Sequence, residues 1–288
     1  MAKAAAKTGA GPTVLVAVEQ YFPKRERIID DDLAGKILPS GRTLLSMAKS
    51  GLIRNWMIRI SEKSTPGMWG CMVCRKRYID EKVREAHHEI EAVVNLGAGY
   101  DTRAFRLQEL SKIPVWELDQ PETIESKRSR LCKIFGEIPP RVHLVAMDFD
   151  HEKLENVLES SGYSLDKRTF FIWEAVTQYL TQEGIRATFN FLSGAERGSR
   201  LALTYVRQDF LDGRAKYRWE TFYKKFVEKD KTWIFGMEPE AWPDFLKAYG
   251  WREIEDIGYG ELAERYVKPT GRTLSSTPIE RIVYAEKL

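Results

Sequence analysis

The chain has 288 residues, 43% of them hydrophobic and 30% charged, with a formal net charge of +3. That length suits one α/β domain with a helical attachment. The small, evenly interleaved charge excludes the concentrated basic face of a nucleic-acid binder. No apolar run approaches the about eighteen residues of a membrane span. The opening MAKAAAKTGAGPT lacks the apolar segment of a secretory signal, and three cysteines cannot build a disulfide framework. A cytoplasmic protein is expected, with neither membrane nor nucleic acid as partner.

Residues 1–12 are small and weakly basic and are expected to form a flexible tail. From residue 13 to 90 the apolar residues recur at helical spacing: Leu44, Leu45 and Ala48, then Leu52, Ile53, Trp56, Met57 and Ile60. Ser64-Thr65-Pro66-Gly67 is a break, and a further helix is expected from about Arg75 to about His88. The pattern changes at Glu91, where EAVVNLGAG reads as a buried parallel strand ending in glycine. Further strands follow at Pro114–Asp119, Arg141–Asp148, Thr169–Glu174 and Arg200–Val206, separated by helices at Glu122–Phe135, Leu154–Ser160 and Glu183–Gly194. Strands alternating with helices predict βαβ units and a parallel sheet over residues 91–206. Residues 207–249 read as a helical insertion, with Trp219, Phe222, Tyr223 and Phe226 on one helical face and a helix at Pro239–Tyr249. Residues 250–288 supply closing strands, WREIEDIG and IERIVYAEKL.

Gly97 and Gly99 stand after a strand and before a helix. Glycines there permit a tight turn and close approach of a ligand, and the helix start offers free N–H groups. An isolated pair of this kind is weak and also describes a turn with no ligand. Two further residues strengthen it. Asp119 ends the second strand about twenty residues later, the place of an acid that accepts from ribose hydroxyls. Asp148 ends the third strand and precedes Phe149, an acceptor and a ring suited to adenine. Three such groups at successive strand ends match the ligand crevice of open α/β sheets. Thr102 occupies the third glycine position of the dinucleotide fingerprint, and Asp101 sets a negative charge beside the loop. Both disfavour a pyrophosphate, whereas a sulfonium and an ammonium tolerate or welcome the acid. The same Asp101 can also pair with Arg103 or cap the following helix.

Taken together, VVNLGAGYDTRAFRL, WELDQP, AMDFD and WEAVTQYLT resemble the leucine carboxyl methyltransferase family, from about residue 20 to the end. FGMEPEAWPDFLKAYGW and ERIVYAEKL fit its C-terminal part. The resemblance implies a Rossmann-like class I methyltransferase in one domain over residues 13–288: a mostly parallel, doubly wound sheet with an antiparallel C-terminal strand, an N-terminal helical cap and a helical insertion. It also implies S-adenosylmethionine as cofactor and S-adenosylhomocysteine as product. Gly97, Ala98 and Gly99 match the loop that packs on the cofactor, with Asp101 beside it. Asp119, with Gln120, matches the ribose-binding acid, and Asp148 and Phe149 match the adenine pair. Glu174 matches a glutamate near the methionine part. Arg75 matches an arginine for the cofactor carboxylate, with Arg77 as the alternative register. An arginine fork is suited to that contact. The forms DTRAFRL and WEAVTQYL sit nearer the bacterial branch than the phosphatase methyltransferases, which leaves the methyl acceptor open.

The expected acceptor is an oxygen, carboxylate or hydroxyl, on a small molecule or peptide. A carboxylate needs no general base and a hydroxyl does. Glu174 and Tyr205 are the candidate catalytic side chains, and Tyr205, Tyr217, Trp219 and Tyr223 the candidate pocket aromatics, each taken singly more readily explained as packing. Cys71-x-x-Cys74 lacks further ligands at metal-binding spacing, so no metal is expected. His143 reads as a core histidine, and His151 as a loop residue or a border of the adenine site. An NAD-dependent oxidoreductase and a non-catalytic adenosyl-binding module are the competing functions. Oligomeric state is not legible.

Overall fold

The computed structural model describes residues 10–149 and 151–288. Seven strands form one sheet: β1 Ala92–Leu96, β2 Val115–Asp119, β3 Val142–Ala146, β4 Thr169–Trp173, β5 Arg200–Val206, β6 Trp251–Gly258 and β7 Glu280–Lys287. Their order is β3-β2-β1-β4-β5-β7-β6. The first five are parallel, and β7 runs antiparallel between β5 and β6. The parallel strands are near-continuous apolar runs because both faces are covered. Along β4, Phe170 and Ile172 enter one core while Phe171 and Trp173 enter the other. This is the period of two that a strand imposes.

Preceding the sheet are α1 Gly11–Glu19, α2 Ala34–Ile37, α3 Arg42–Ala48, α4 Gly51–Ser64 and α5 Met68–Ala86. Between the parallel strands lie α6 Arg103–Arg106, α7 Pro121–Phe135, α8 Leu154–Ser160 and α9 Gln182–Leu192. After β5 come α10 Gln208–Leu211, α11 Glu220–Tyr223 and α12 Trp242–Ala248, with α13 Tyr259–Leu262 after β6. α5 and α7 bury Val73, Tyr78, Ile124 and Leu131 on one face of the sheet. α9 and α12 bury Phe189, Leu192, Trp242 and Leu246 on the other. No described helix is long and apolar enough to cross a membrane.

Several boundaries depart from the sequence reading; β3, expected to reach Asp148, stops at Ala146. Residues 1–9 of the expected tail lie outside the described residues, but Gly11 and Pro12 open α1, with the proline at the helix start where its missing N–H costs nothing. α5 begins at Met68, well ahead of Arg75, because MWGCMVC is buried on several sides and so carries little amphipathic signal. Residues 207–249 are only partly helical: α11 continues into a wide turn at Lys224–Lys229, and Met237 bridges to Arg207.

Candidate active site

The C-terminal ends of β1, β2 and β4 open into one cavity of about 460 Å³. Asn95 and the Gly97–Asp101 loop form its floor, with Asp119, Gln120 and Thr123 on one side and Glu174 on the other. Gly97 has φ of 76° and Gly99 of 49°, in the left-handed region that side chains disfavour. A Cβ on Gly97 would lie 2.3 Å from Val176 Cγ2, so the loop fits only without one. Asp119 is fixed from behind. Its Oδ2 accepts from Gly99 N at 2.6 Å and its Oδ1 from Gln120 N at 2.7 Å. Burial nonetheless pushes its carboxyl up from the ordinary value, against those hydrogen bonds.

Glu174 stands at the end of β4, and the next residue, Ala175, has φ of 60°. This is uncommon for a non-glycine residue and costs energy. Ala175 N is held by Thr204 Oγ1 at 2.8 Å, which pins the turn. Glu174 accepts from Arg75 Nε and Arg103 Nη1, both at 2.8 Å, with Lys76 Nζ 3.3 Å away. Burial raises its carboxyl, but Lys76, Arg103 and Arg75 outweigh burial and hold it well below the ordinary range. Arg75 is fully enclosed. Its Nη1 also donates to Glu280 at 2.6 Å, and its Nη2 lies 3.7 Å from the Met72 sulfur.

Asp101 lines the cavity but is not a free charge. It accepts from Arg103 N at 2.7 Å and forms a very short contact with Arg103 Nη1. Burial raises its carboxyl, and the Arg103 guanidinium more than compensates, leaving it below the usual range. Arg103 also reaches Asp80 at 2.7 Å. Thr102, at the third glycine position, donates to Asp31 at 2.6 Å and so joins the same buried network.

Of the expected cofactor residues, the structure brings together Arg75, Gly97, Ala98, Gly99, Asp101, Asp119, Gln120, Phe149 and Glu174. Three expected residues stand elsewhere. Arg77, two positions beyond Arg75, falls on the far side of α5. There it bonds Glu81 at 3.0 Å and Ile28 O at 2.9 Å. Asp148 lies beyond the end of β3, outside the cavity lining, with 44% of its side chain exposed and its Oδ2 2.9 Å from His151 Nδ1. Tyr205 alternates with Thr204 on β5 and therefore faces the other core, where its hydroxyl donates to Asp256 at 2.6 Å. Of the candidate aromatics, Trp219 lines the cavity, whereas Tyr217 bonds Asp209 and Tyr223 packs in the insertion.

The sequence reading missed Lys76, between the two arginines it weighed, and missed Glu280. It also missed the start of α1, where Gly11, Thr13 and Leu15 close one side, and Phe222, Phe226 and Trp233 as cavity walls. Helical spacing from Arg75 back to Met72, Cys71 and Met68 was the available signal for the α5 wall. Cys71 and Cys74 are buried on α5, and burial raises both thiols. His143 stacks on Trp116 with ring centroids 4.6 Å apart, and burial lowers its pKa.

The residues present suit S-adenosylmethionine. The Gly97 turn has no room for a Cβ, an acid aligned by two backbone N–H groups faces the same space, and Glu174, Asp101 and Arg75 line the same cavity. Comparisons with known proteins agree. Residues 10–193 match the family model for leucine carboxyl methyltransferase. A candidate S-adenosyl-L-methionine-dependent methyltransferase of Mycolicibacterium gilvum is 28% identical over 284 residues, covering 91% of this chain and 90% of the relative. One of Mycobacterium bovis is 26% identical over 278 residues, covering 92% and 79%. Among solved structures, a DUF574-family protein of Streptomyces avermitilis superposes with a TM-score of 0.55 at 14% identity, covering 96% of this chain and 97% of that one. A methyltransferase candidate of Thermobifida fusca gives 0.54 at 12% identity, covering 82% and 88%. Those two likenesses bear on the fold, and the family match bears on the chemistry: this chain belongs to the leucine carboxyl methyltransferase family and is an S-adenosylmethionine-dependent methyltransferase.

Proposed function

We propose that the protein transfers the methyl group to an oxygen, carboxylate or hydroxyl, of a small molecule or peptide. The observation that carries this reading is the single cavity in which the glycine loop, Asp119 and Glu174 meet the aromatic wall of the insertion. In this reading Asp119 accepts from the ribose hydroxyls, and Phe149 covers the adenine. Glu174 faces the ammonium, and Arg75 offers its remaining Nη2 edge to the carboxylate. The cofactor supplies an electrophilic methyl on a sulfonium. The protein contributes alignment and exclusion of water. Residues 207–249 serve as lid and acceptor pocket over the core of residues 91–206, with residues 13–90 as cap and 250–288 as closing strands. The unpaired state of Cys71, Cys74 and Cys132 supports a cytoplasmic setting.

Calorimetry with S-adenosylhomocysteine and with NAD tests the site: the sulfur ligand is expected to bind and NAD is not. Methyl-labelled cofactor incubated with metabolite extract tests the acceptor atom. The labelled product is expected to be an ester or an ether, and a labelled amine or ring carbon refutes oxygen transfer.

A further inference from the structure

α4 is mounted with its apolar residues outward. Leu52, Trp56 and Ile60 stand four residues apart and so form one row along the helix. They are 85%, 60% and 47% exposed, whereas the one buried residue of α4 is Arg54. Arg54 points inward, with its guanidinium 4.2 Å from the Phe22 ring centroid and Nη1 donating to Ala48 O. α3 adds exposed Leu44 and Met47 just ahead of the row. Five of the nine large apolar side chains exposed among the described residues therefore fall between Leu44 and Ile60. Single exposed residues of this kind are ordinary, but a concentrated set marks an interaction surface.

The charge beside the row is of one sign. Lys49, Arg59 and Lys63 are exposed, and none has an ion-pair partner among the described residues. The one acid between Thr43 and Lys63, Glu62, is turned towards the protein: its Oε1 is buried and its Oε2 accepts from Ser275 N at 2.9 Å. The acids whose fields reach Arg54 are Glu19 and Glu26, and they pair with Arg272 and Arg25. A second copy of the chain would set these cations against each other in a two-fold contact. A protein partner would meet Lys63, three residues past Ile60 on the same face, where interface cores disfavour lysine. An anionic lipid surface suits both features. Tryptophan and leucine settle among the headgroups, and long basic side chains bury their stems while their heads reach the phosphates.

We propose that α4 is a membrane-surface helix, which lays Leu52, Trp56 and Ile60 into the headgroup region of an anionic bilayer with Lys49, Arg59 and Lys63 on the lipid phosphates. The expectation of no membrane partner came from the lack of a spanning run, and a helix lying flat on a surface needs none. α4 leads through Pro66 and Gly67 into the α5 wall of the cavity, and Trp219 of the aromatic wall donates to Pro66 O at 2.9 Å. The docked helix is thereby joined to the side of the cavity that faces the acceptor in the reading above. Vesicle sedimentation of the full chain tests the proposal and involves no methyl transfer, so it stands apart from the cofactor and acceptor readings. Phosphatidylcholine vesicles holding about 30% phosphatidylserine are expected to bind the protein at least about 10-fold more tightly than phosphatidylcholine alone. The double variant Leu52→Ser, Trp56→Ser is expected to lose at least about 10-fold of that binding. Arg59→Gln with Lys63→Gln is expected to bring it down towards that of phosphatidylcholine alone. All four residues are exposed, so thermal unfolding followed by circular dichroism is expected to be unchanged in both variants. Should the first variant fail to fold, the second decides alone. No binding to the anionic vesicles overturns the proposal, as does equal binding to both kinds of vesicle, or binding that a folded variant leaves unchanged. A dimer in sedimentation velocity that Leu52→Ser, Trp56→Ser dissociates assigns the face to a second copy and also overturns it.

Discussion

Asp119 is aligned before any ligand arrives. Two backbone N–H groups hold its oxygens in place, so a ribose bound there as proposed would meet a fixed acceptor with little ordering cost left on binding. Replacing it with alanine is expected to weaken S-adenosylhomocysteine binding by about 1–3 kcal/mol, the cost of unmade charge-assisted hydrogen bonds. Calorimetry on the folded variant measures this, and an unchanged affinity would show that the ribose lies elsewhere. The residue was legible in sequence because it stands last on a strand, at the edge of the cavity. Asp148 shares that sequence position and yet faces His151, because β3 stops at Ala146 and the chain has turned by the time it reaches the acid. The two strands are equally long, but β2 ends on its acid whereas β3 ends two residues before its own, a placement that residue type does not show.

At the scale of elements, strand alternation explains both a success and an error. β4 and β5 were located from their apolar runs, but a buried parallel strand is apolar on both faces, so its sequence does not say which face a residue takes. Thr204 faces the Ala175 turn, and its neighbour Tyr205 faces away. α9 was legible for the opposite reason: its apolar residues keep to one side, where Ile185, Phe189 and Leu192 are buried. Phe189 packs against Trp173, Trp242, Phe245 and Tyr249 and is fully enclosed. Phe189→Ala is therefore expected to cost about 3–5 kcal/mol of unfolding free energy. Urea denaturation measures the loss, and a cost below about 1 kcal/mol would mean that the aromatic cluster collapses into the space left behind.

On the scale of the whole molecule, a buried ionic network ties the N-terminal helices, the glycine loop, β4 and β7 together. Arg103 alone joins Asp80 of α5, Asp101 of the loop and Glu174. Removing one member of such a network leaves its partners uncompensated, so Glu174→Gln is expected to destabilise the protein by about 3 kcal/mol at neutral pH. The pH dependence has a definite sign. Lys76, Arg103 and Arg75, overcoming burial, hold the Glu174 carboxyl below its ordinary value of 4.5 in the folded chain. Its contribution is therefore complete above that value and is lost as the pH falls below it. The difference in unfolding free energy between the unaltered protein and Glu174→Gln should shrink on acidification below 4.5. A difference that stays constant down to pH of about 3 would contradict the depressed pKa.

The sequence by itself determined the α/β alternation, the strand positions, the glycine loop with Asp119, and the family. These rest on short-range physics: periodicity, the conformational freedom of glycine, and the position of an acid at a strand end. Only the tertiary structure decided that Arg75 and Lys76, and not Arg77, face the cavity, that Arg103 pairs with Asp101, and that Glu280 joins the site across 205 residues of chain from Arg75. It also decided that Gly11 and Pro12 belong to a helix closing the cavity and that Tyr205 belongs to the opposite core. Those outcomes depend on where separate elements meet and on which face of each is turned inward. Contacts between distant segments are fixed by packing of the whole chain, and no local pattern of residues encodes them.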